Sequence, residues 1–166
     1  MSYDLNRFTA ALFLTIACLF LTACGFHLRG SAEIAEPLRQ LTLVMPDRSR
    51  SNLEPLLRRQ FEANGVTVNG GSGYQLEITS ESRSRREASL GANADIDEYE
   101  LTRKVSFLVT DPQGEIVLER KLTIERTYDY DADRETASSV QEAQLYSEME
   151  QQLASQILRF YANIKP

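Results

Sequence analysis

Tryptophan is absent and histidine nearly so, with His27 the single one in 166 residues. Cysteine is scarce too: only Cys18 and Cys24. These shortages exclude much chemistry. One histidine and no spare thiol cannot build a zinc set or a Cys–His nucleophile pair, so no metal, no cofactor and no such catalysis is expected. His27 reads as a packing residue. Positive charge is also short: 18 Lys and Arg against 24 Asp and Glu leave a formal charge of −6. A chain without a basic half suits neither nucleic acid nor charge-driven adhesion to anionic lipid. No glycine-rich loop runs from a strand into a helix. Gly70-Gly71-Ser72-Gly73 leads into a strand instead and lacks the helix N-terminus that would hold phosphate. Glu98 and Glu100 resemble a carboxylate pair. They alternate with Tyr99 and Leu101, however, which makes them a solvated strand face. The chain reads as non-enzymatic.

The first residues carry an address. Residues 1–7 are polar, with Arg7 just before an unbroken apolar or small run from Phe8 to Leu21. As a helix that run reaches about 21 Å, short of the roughly 30 Å hydrocarbon core, which suits a cleaved export signal rather than a permanent span. It ends in Leu21-Thr22-Ala23-Cys24-Gly25. This resembles the lipobox of bacterial lipoproteins, which implies cleavage before Cys24, lipidation of that thiol and acylation of the new amine. More than one acyl chain is what makes such anchoring stable. Gly25, rather than Asp, after the lipidated residue implies sorting to the outer membrane. The expected organisation is a removed signal at 1–23, a lipidated extended lead at 24–40, and one domain at 41–166.

Within that domain, Leu41 to Met45 reads as a short strand ended by Pro46. Ser51-Asn52-Leu53-Glu54 has the form of a capping box, and Leu53, Leu56, Leu57 and Phe61 make one helical stripe that Asn64-Gly65 stops. Val66–Val68 reads as a short extension of the sheet. Tyr74, Leu76 and Ile78 alternate with polar residues as a half-buried strand. Residues 83–97 lose that rhythm and read as a mobile connection. The alternation returns at Tyr99–Val109. Asp111-Pro112-Gln113-Gly114 is a hairpin turn, and Ile116–Tyr128 runs back antiparallel. A second capping-box pattern, Ser139 to Glu142, precedes a long apolar stripe ending near residue 162. The expectation is an α+β fold of order β-α-β-β-β-α, a mixed four-stranded sheet covered by two helices.

One local basic cluster stands out: Arg83, Arg85 and Arg86. If the preceding strand continues, Arg83 and Arg85 share a face and Arg86 points the other way. Guanidinium forks suit phosphate; equally, Glu81 and Glu87 could balance a solvated run. Tyr128 and Tyr130, flanking Asp129, are open to two readings as well, an interface patch or ordinary packing and surface.

The ordered set of segments resembles the lipopolysaccharide-assembly lipoprotein family LptE. It runs from Cys24-Gly25-Phe26-His27-Leu28-Arg29-Gly30 through the Leu53/Leu57/Phe61 helix and Tyr74-Gln75-Leu76-Glu77-Ile78. It continues with Glu98-Tyr99-Glu100-Leu101 and Arg126-Thr127-Tyr128, and ends at Glu148-Met149. The resemblance implies two helices on a four-stranded sheet and a role as plug and assembly partner of the outer-membrane barrel protein LptD. It also implies direct binding of lipopolysaccharide and help in moving it to the outer leaflet. Arg83, Arg85 and Arg86 are the candidate lipopolysaccharide-binding residues. The alternative is a free periplasmic lipoprotein that binds a lipid or small ligand, which would require an apolar cavity between sheet and helices.

Overall fold

The computed structural model describes residues 34–46, 51–68, 71, 73–90 and 96–166. The proposed signal, Cys24 and most of the lead lie outside the described residues. A 3₁₀ turn, Glu36–Arg39, leads into β1 (Gln40–Val44). Then follow α1 (Leu53–Ala63), β2 (Thr67–Val68), β3 (Tyr74–Leu90), β4 (Ile96–Thr110), β5 (Ile116–Asp129) and, after another 3₁₀ turn, α2 (Glu135–Ala162). The sheet order is β2-β1-β3-β4-β5. β1 is parallel to both its neighbours, whereas β3, β4 and β5 run antiparallel. The mixed α+β fold is as expected, but the sheet has five strands rather than four. The fifth is the two-residue β2, too short to show a periodicity of its own.

Physical causes of the local structure are plain in most places. α1 buries Leu53, Leu57 and Phe61 completely and stops where Gly65 takes φ +77°. There the amides of Gly65 and Val66 donate to the carbonyls of Glu62 and Phe61, satisfying the open end of the helix. At the hairpin, the Asp111 carboxylate accepts from the amides of Gln113 and Glu115 at 2.9 Å each, and Gly114 takes φ +88°. On β4, Leu101, Val105, Phe107 and Val109 face the helices and are fully buried. Tyr161 near the end of α2 packs edge-on against Phe61 and Tyr74, and its hydroxyl donates to the Leu38 carbonyl at 2.8 Å. That bond ties the last helix to the chain just before β1.

Three local expectations need correction. Of the connection expected at 83–97, residues 83–90 and 96–97 are strand instead: β3 continues to Leu90 and β4 begins at Ile96, paired as Arg83↔Arg103, Arg85↔Leu101 and Arg86↔Glu100. The apolar rhythm fails there because arginines, rather than aliphatic side chains, occupy the helix-facing positions 83 and 85. Ser51 does not reach the amide at Glu54. Its hydroxyl accepts from Leu53 N at 3.2 Å and donates to Glu81 at 2.7 Å, while Glu54 pairs with Arg58. The second capping box is no helix start either. α2 begins at Glu135, and the Ser139 hydroxyl donates to the Thr136 carbonyl inside it.

Candidate functional site

Because β3 and β4 outrun β1, their far ends project past the aliphatic core and meet the first half of α2. Side chains alternate across a strand, so Arg83 and Arg85 turn toward α2 and Arg86 turns away. Glu142, from α2, is the hub on the helix side. Its carboxylate accepts from Arg85 at 2.8 Å and from the Tyr128 hydroxyl at 2.9 Å, and lies 3.6 Å from Arg83. Each guanidinium rests on a ring: Arg83 lies 3.6 Å from the centroid of Tyr146, and Arg85 lies 4.4 Å from that of Tyr99. Tyr99 in turn stacks on Tyr128 and meets Tyr130 edge-on at 5.1 Å. Both tyrosines around Asp129 are therefore committed to packing. On the opposite face, Arg86 grips Glu100 with two hydrogen bonds of 2.6 and 2.8 Å.

Protonation follows this geometry. Burial alone would raise the Glu142 carboxyl, but hydrogen bonds from Arg85 and Tyr128 and the charges of Arg85 and Arg83 outweigh it and hold it below its usual range. The hydrogen bond to Glu142 raises Arg85 further. The Tyr128 phenol is pushed up to about 12 by burial and by its bond to Glu142. At neutral pH the cluster is thus two cations and a neutral phenol around one carboxylate. Arg83 and Arg85 remain about half exposed, at 52% and 47% of the side chain. Solvent, and anything dissolved in it, can reach both.

One step deeper, Arg103 is buried between Glu81 at 3.2 Å and Glu150 at 3.0 Å, with its Nε unpartnered. Beside it opens a groove of about 510 Å³, bordered by Ser51, Asn52, Ser82 and Arg83. The groove is open to solvent and bordered mainly by polar and charged residues, unlike the enclosed apolar cavity that a small-lipid carrier needs. The sheet face away from the helices is polar as well. Arg86 and Glu100 lie on it, and Lys104 stands opposite Thr123. Among the described residues no helix covers that face. A wet environment is the one it fits.

A family model described as LptE, lipopolysaccharide-assembly, matches residues 38–160. This chain belongs to the LptE family. Among LptE relatives, the LPS-assembly lipoprotein LptE of Pectobacterium atrosepticum is 27% identical over 152 residues, covering 89% of this chain and 82% of that protein. The Photorhabdus laumondii protein of the same name is 26% identical over 151 residues with the same coverage. The crystal structure of rare lipoprotein B from Shewanella oneidensis superposes with a TM-score of 0.65 at 30% identity, covering 74% of this chain and 93% of that one. A minor lipoprotein from Acinetobacter baumannii gives 0.64 at 28%, covering 75% and 91%. The LptE match spans β1 to α2 and so includes every residue of the arginine cluster.

Of the three arginines singled out from sequence, the structure brings Arg83 and Arg85 together and leaves Arg86 on the other face. Glu142, Tyr99 and Tyr146 escaped notice as members of the cluster. Glu142 fitted a capping box, and the two tyrosines fitted ordinary apolar stripes. Only the pairing of β3 with β4, and the run of α2 across them, makes neighbours of these residues.

Proposed function

We propose that this chain is a non-catalytic, lipid-anchored outer-membrane subunit that plugs and helps assemble an LptD-type barrel. In that position it assists the passage of lipopolysaccharide to the outer leaflet and binds the glycolipid. The observation that carries the reading is the family match over most of the chain, with relatives that are named LPS-assembly lipoproteins. Two structural features support it. The open sheet face is polar enough to sit against water in a barrel lumen, and Arg83 and Arg85 present half-exposed guanidinium groups at one end of the domain. Cys24 would carry the lipid, and the lead from 24 to 40 would connect anchor to body.

A photo-crosslinker at Lys104, on the open sheet face, tests the plug directly. Adducts with a large outer-membrane barrel protein are the expected result, and clean failure at both Lys104 and Thr123 would contradict it. For the ligand, replacing Arg83, Arg85 and Arg86 together by Ala lowers lipopolysaccharide binding while the domain stays folded. Splitting the set refines this: Arg83→Ala with Arg85→Ala accounts for most of the loss, because Arg86 is already held in a two-pronged pair. For the anchor, Cys24→Ala gives an unlipidated precursor, and normal acyl labelling of that variant would refute the assignment.

A further inference from the structure

Arg83, Arg85 and Tyr128 converge on one point, and α2 fills that point with a carboxylate of its own. The fit is incomplete. Glu142 makes two contacts of hydrogen-bonding length, to Arg85 and Tyr128, and leaves Arg83 at 3.6 Å, beyond a direct hydrogen bond. Arg85 and Tyr128 both donate to the same oxygen, Oε2, while Oε1 faces Arg83 across 3.6 Å without a direct hydrogen bond. A tetrahedral phosphate monoester has three terminal oxygens and more charge near neutral pH. Arg83 rests on the ring of Tyr146, which is buried one turn further along α2, and Arg85 on the ring of Tyr99 in β4, so the donors keep their aim whichever anion occupies the site. The helix that supplies Glu142 is weakly held at that end. Over Glu135–Gln141 only Ser138 is buried, through bonds with Asp131, and Val140 is 64% exposed.

From this geometry we propose that Arg83, Arg85 and Tyr128 form an anion site for a phosphate monoester, and that Glu142 is its built-in competitor. Ligand phosphate enters by exchange with the Glu142 carboxylate, and the first turns of α2 loosen as it leaves. Binding at the arginine pair is thereby coupled to order in α2, through contacts that exist only while the site is empty of ligand. Arg86 takes no part, being held by Glu100 on the opposite face. This inference rests on the reading that Arg83 and Arg85 meet the phosphates of lipopolysaccharide. The shared chemistry would also admit a soluble phosphate.

The experiment uses the mature lipoprotein in detergent, titrated with lipopolysaccharide, with the same lipopolysaccharide after dephosphorylation, and with inorganic pyrophosphate. Glu142→Gln keeps the shape and removes the competing charge. It should tighten binding of intact lipopolysaccharide roughly fivefold or more. The gain should vanish in dephosphorylated material and in the triple variant that adds Arg83→Ala and Arg85→Ala. Because Glu142→Gln also loosens α2, hydrogen exchange on the unmodified protein gives a second readout: amides of residues 135–141 should exchange faster once ligand is bound. Tightening with pyrophosphate alone would support the site and assign it to soluble phosphate. If lipopolysaccharide binding needs both arginines yet Glu142→Gln leaves it unchanged or weaker, and 135–141 keep their protection, the exchange is overturned and the arginine reading survives. If Arg83→Ala with Arg85→Ala leaves binding intact, both fall.

Discussion

Arg103 offers the sharpest test of how the far end of the sheet is held. Its guanidinium is buried and bridges Glu81 at 3.2 Å and Glu150 at 3.0 Å, whose side chains are 15% and 8% exposed. Arg103→Met keeps most of the volume and strands both carboxylates. Removing one partner of a buried ion pair costs about 3–5 kcal/mol. Two features lower that figure here. Glu81 keeps the Ser51 hydroxyl at 2.7 Å, and the substitution also removes the unpartnered Nε, a penalty of roughly 1 kcal/mol in the native protein. The net loss should be about 2–4 kcal/mol, a large share of the roughly 5–15 kcal/mol typical of a domain. Urea unfolding reads it, since a slope of about 1–3 kcal/mol per molar turns that loss into a midpoint shift of roughly 1 M or more. Adding Glu150→Leu to Arg103→Met should recover most of it, because an apolar pair of similar volume often replaces a buried ion pair at little cost. A loss below about 1 kcal/mol for Arg103→Met alone would show that the cluster is not the dry, mutually dependent unit described.

Tyr161→Phe should cost about 1–2 kcal/mol by denaturant melt, since it removes the hydroxyl that serves the Leu38 carbonyl and leaves the ring packing intact. Acid should weaken the latch on α2. Glu142 titrates below its usual 4.5 in the folded chain, so its contribution is present above that value and is lost as pH falls through the lowered one. Melting temperature below pH 4.5 should therefore fall more steeply in the unmodified protein than in Glu142→Gln. In alkali the sign reverses: the Tyr128 phenol is favoured neutral up to about 12, so stability drains between pH 10 and about 12, and Tyr128→Phe should flatten that loss. Gly73→Ala should destabilise more than Gly114→Ala by thermal melt. A Cβ at 73 would meet the Gln40 carbonyl oxygen at 2.8 Å, whereas at 114 only the positive φ resists and nothing lies within 4 Å.

Sequence periodicity is informative where burial is aliphatic and loses its grip where it is not. The stripe of α1, the turn at Asp111–Gly114 and the alternation of β4 were all legible, because each combines an apolar rhythm with a residue suited to its boundary. The second half of β3 was not. Serines, arginines and Glu81 fill Ser80 to Arg86, and what makes that stretch a strand is β4 alongside, with Arg86 on Glu100 and Tyr146 of α2 donating to the Ser84 carbonyl. β2 was legible only as a short extension, since two residues cannot display alternation. The start of α2 was misplaced because its first turns are exposed and lack a side-chain cap, so nothing apolar marks them. For the candidate site, the sequence supplied the guanidinium groups and their division between faces. It hid the counter-charge, since Glu142 lies far along the chain and meets Arg83 and Arg85 only through the fold.

The central claim is association with a barrel, and solubilised outer membrane tests it most directly. Cells fed labelled fatty acid are extracted in mild detergent, and the tagged chain is isolated under conditions that spare membrane complexes. The account predicts that the labelled lipoprotein emerges with a large LptD-type barrel protein and that the two comigrate through gel filtration. An unlabelled chain, or a labelled one that elutes as a monomer with no barrel protein, would contradict it.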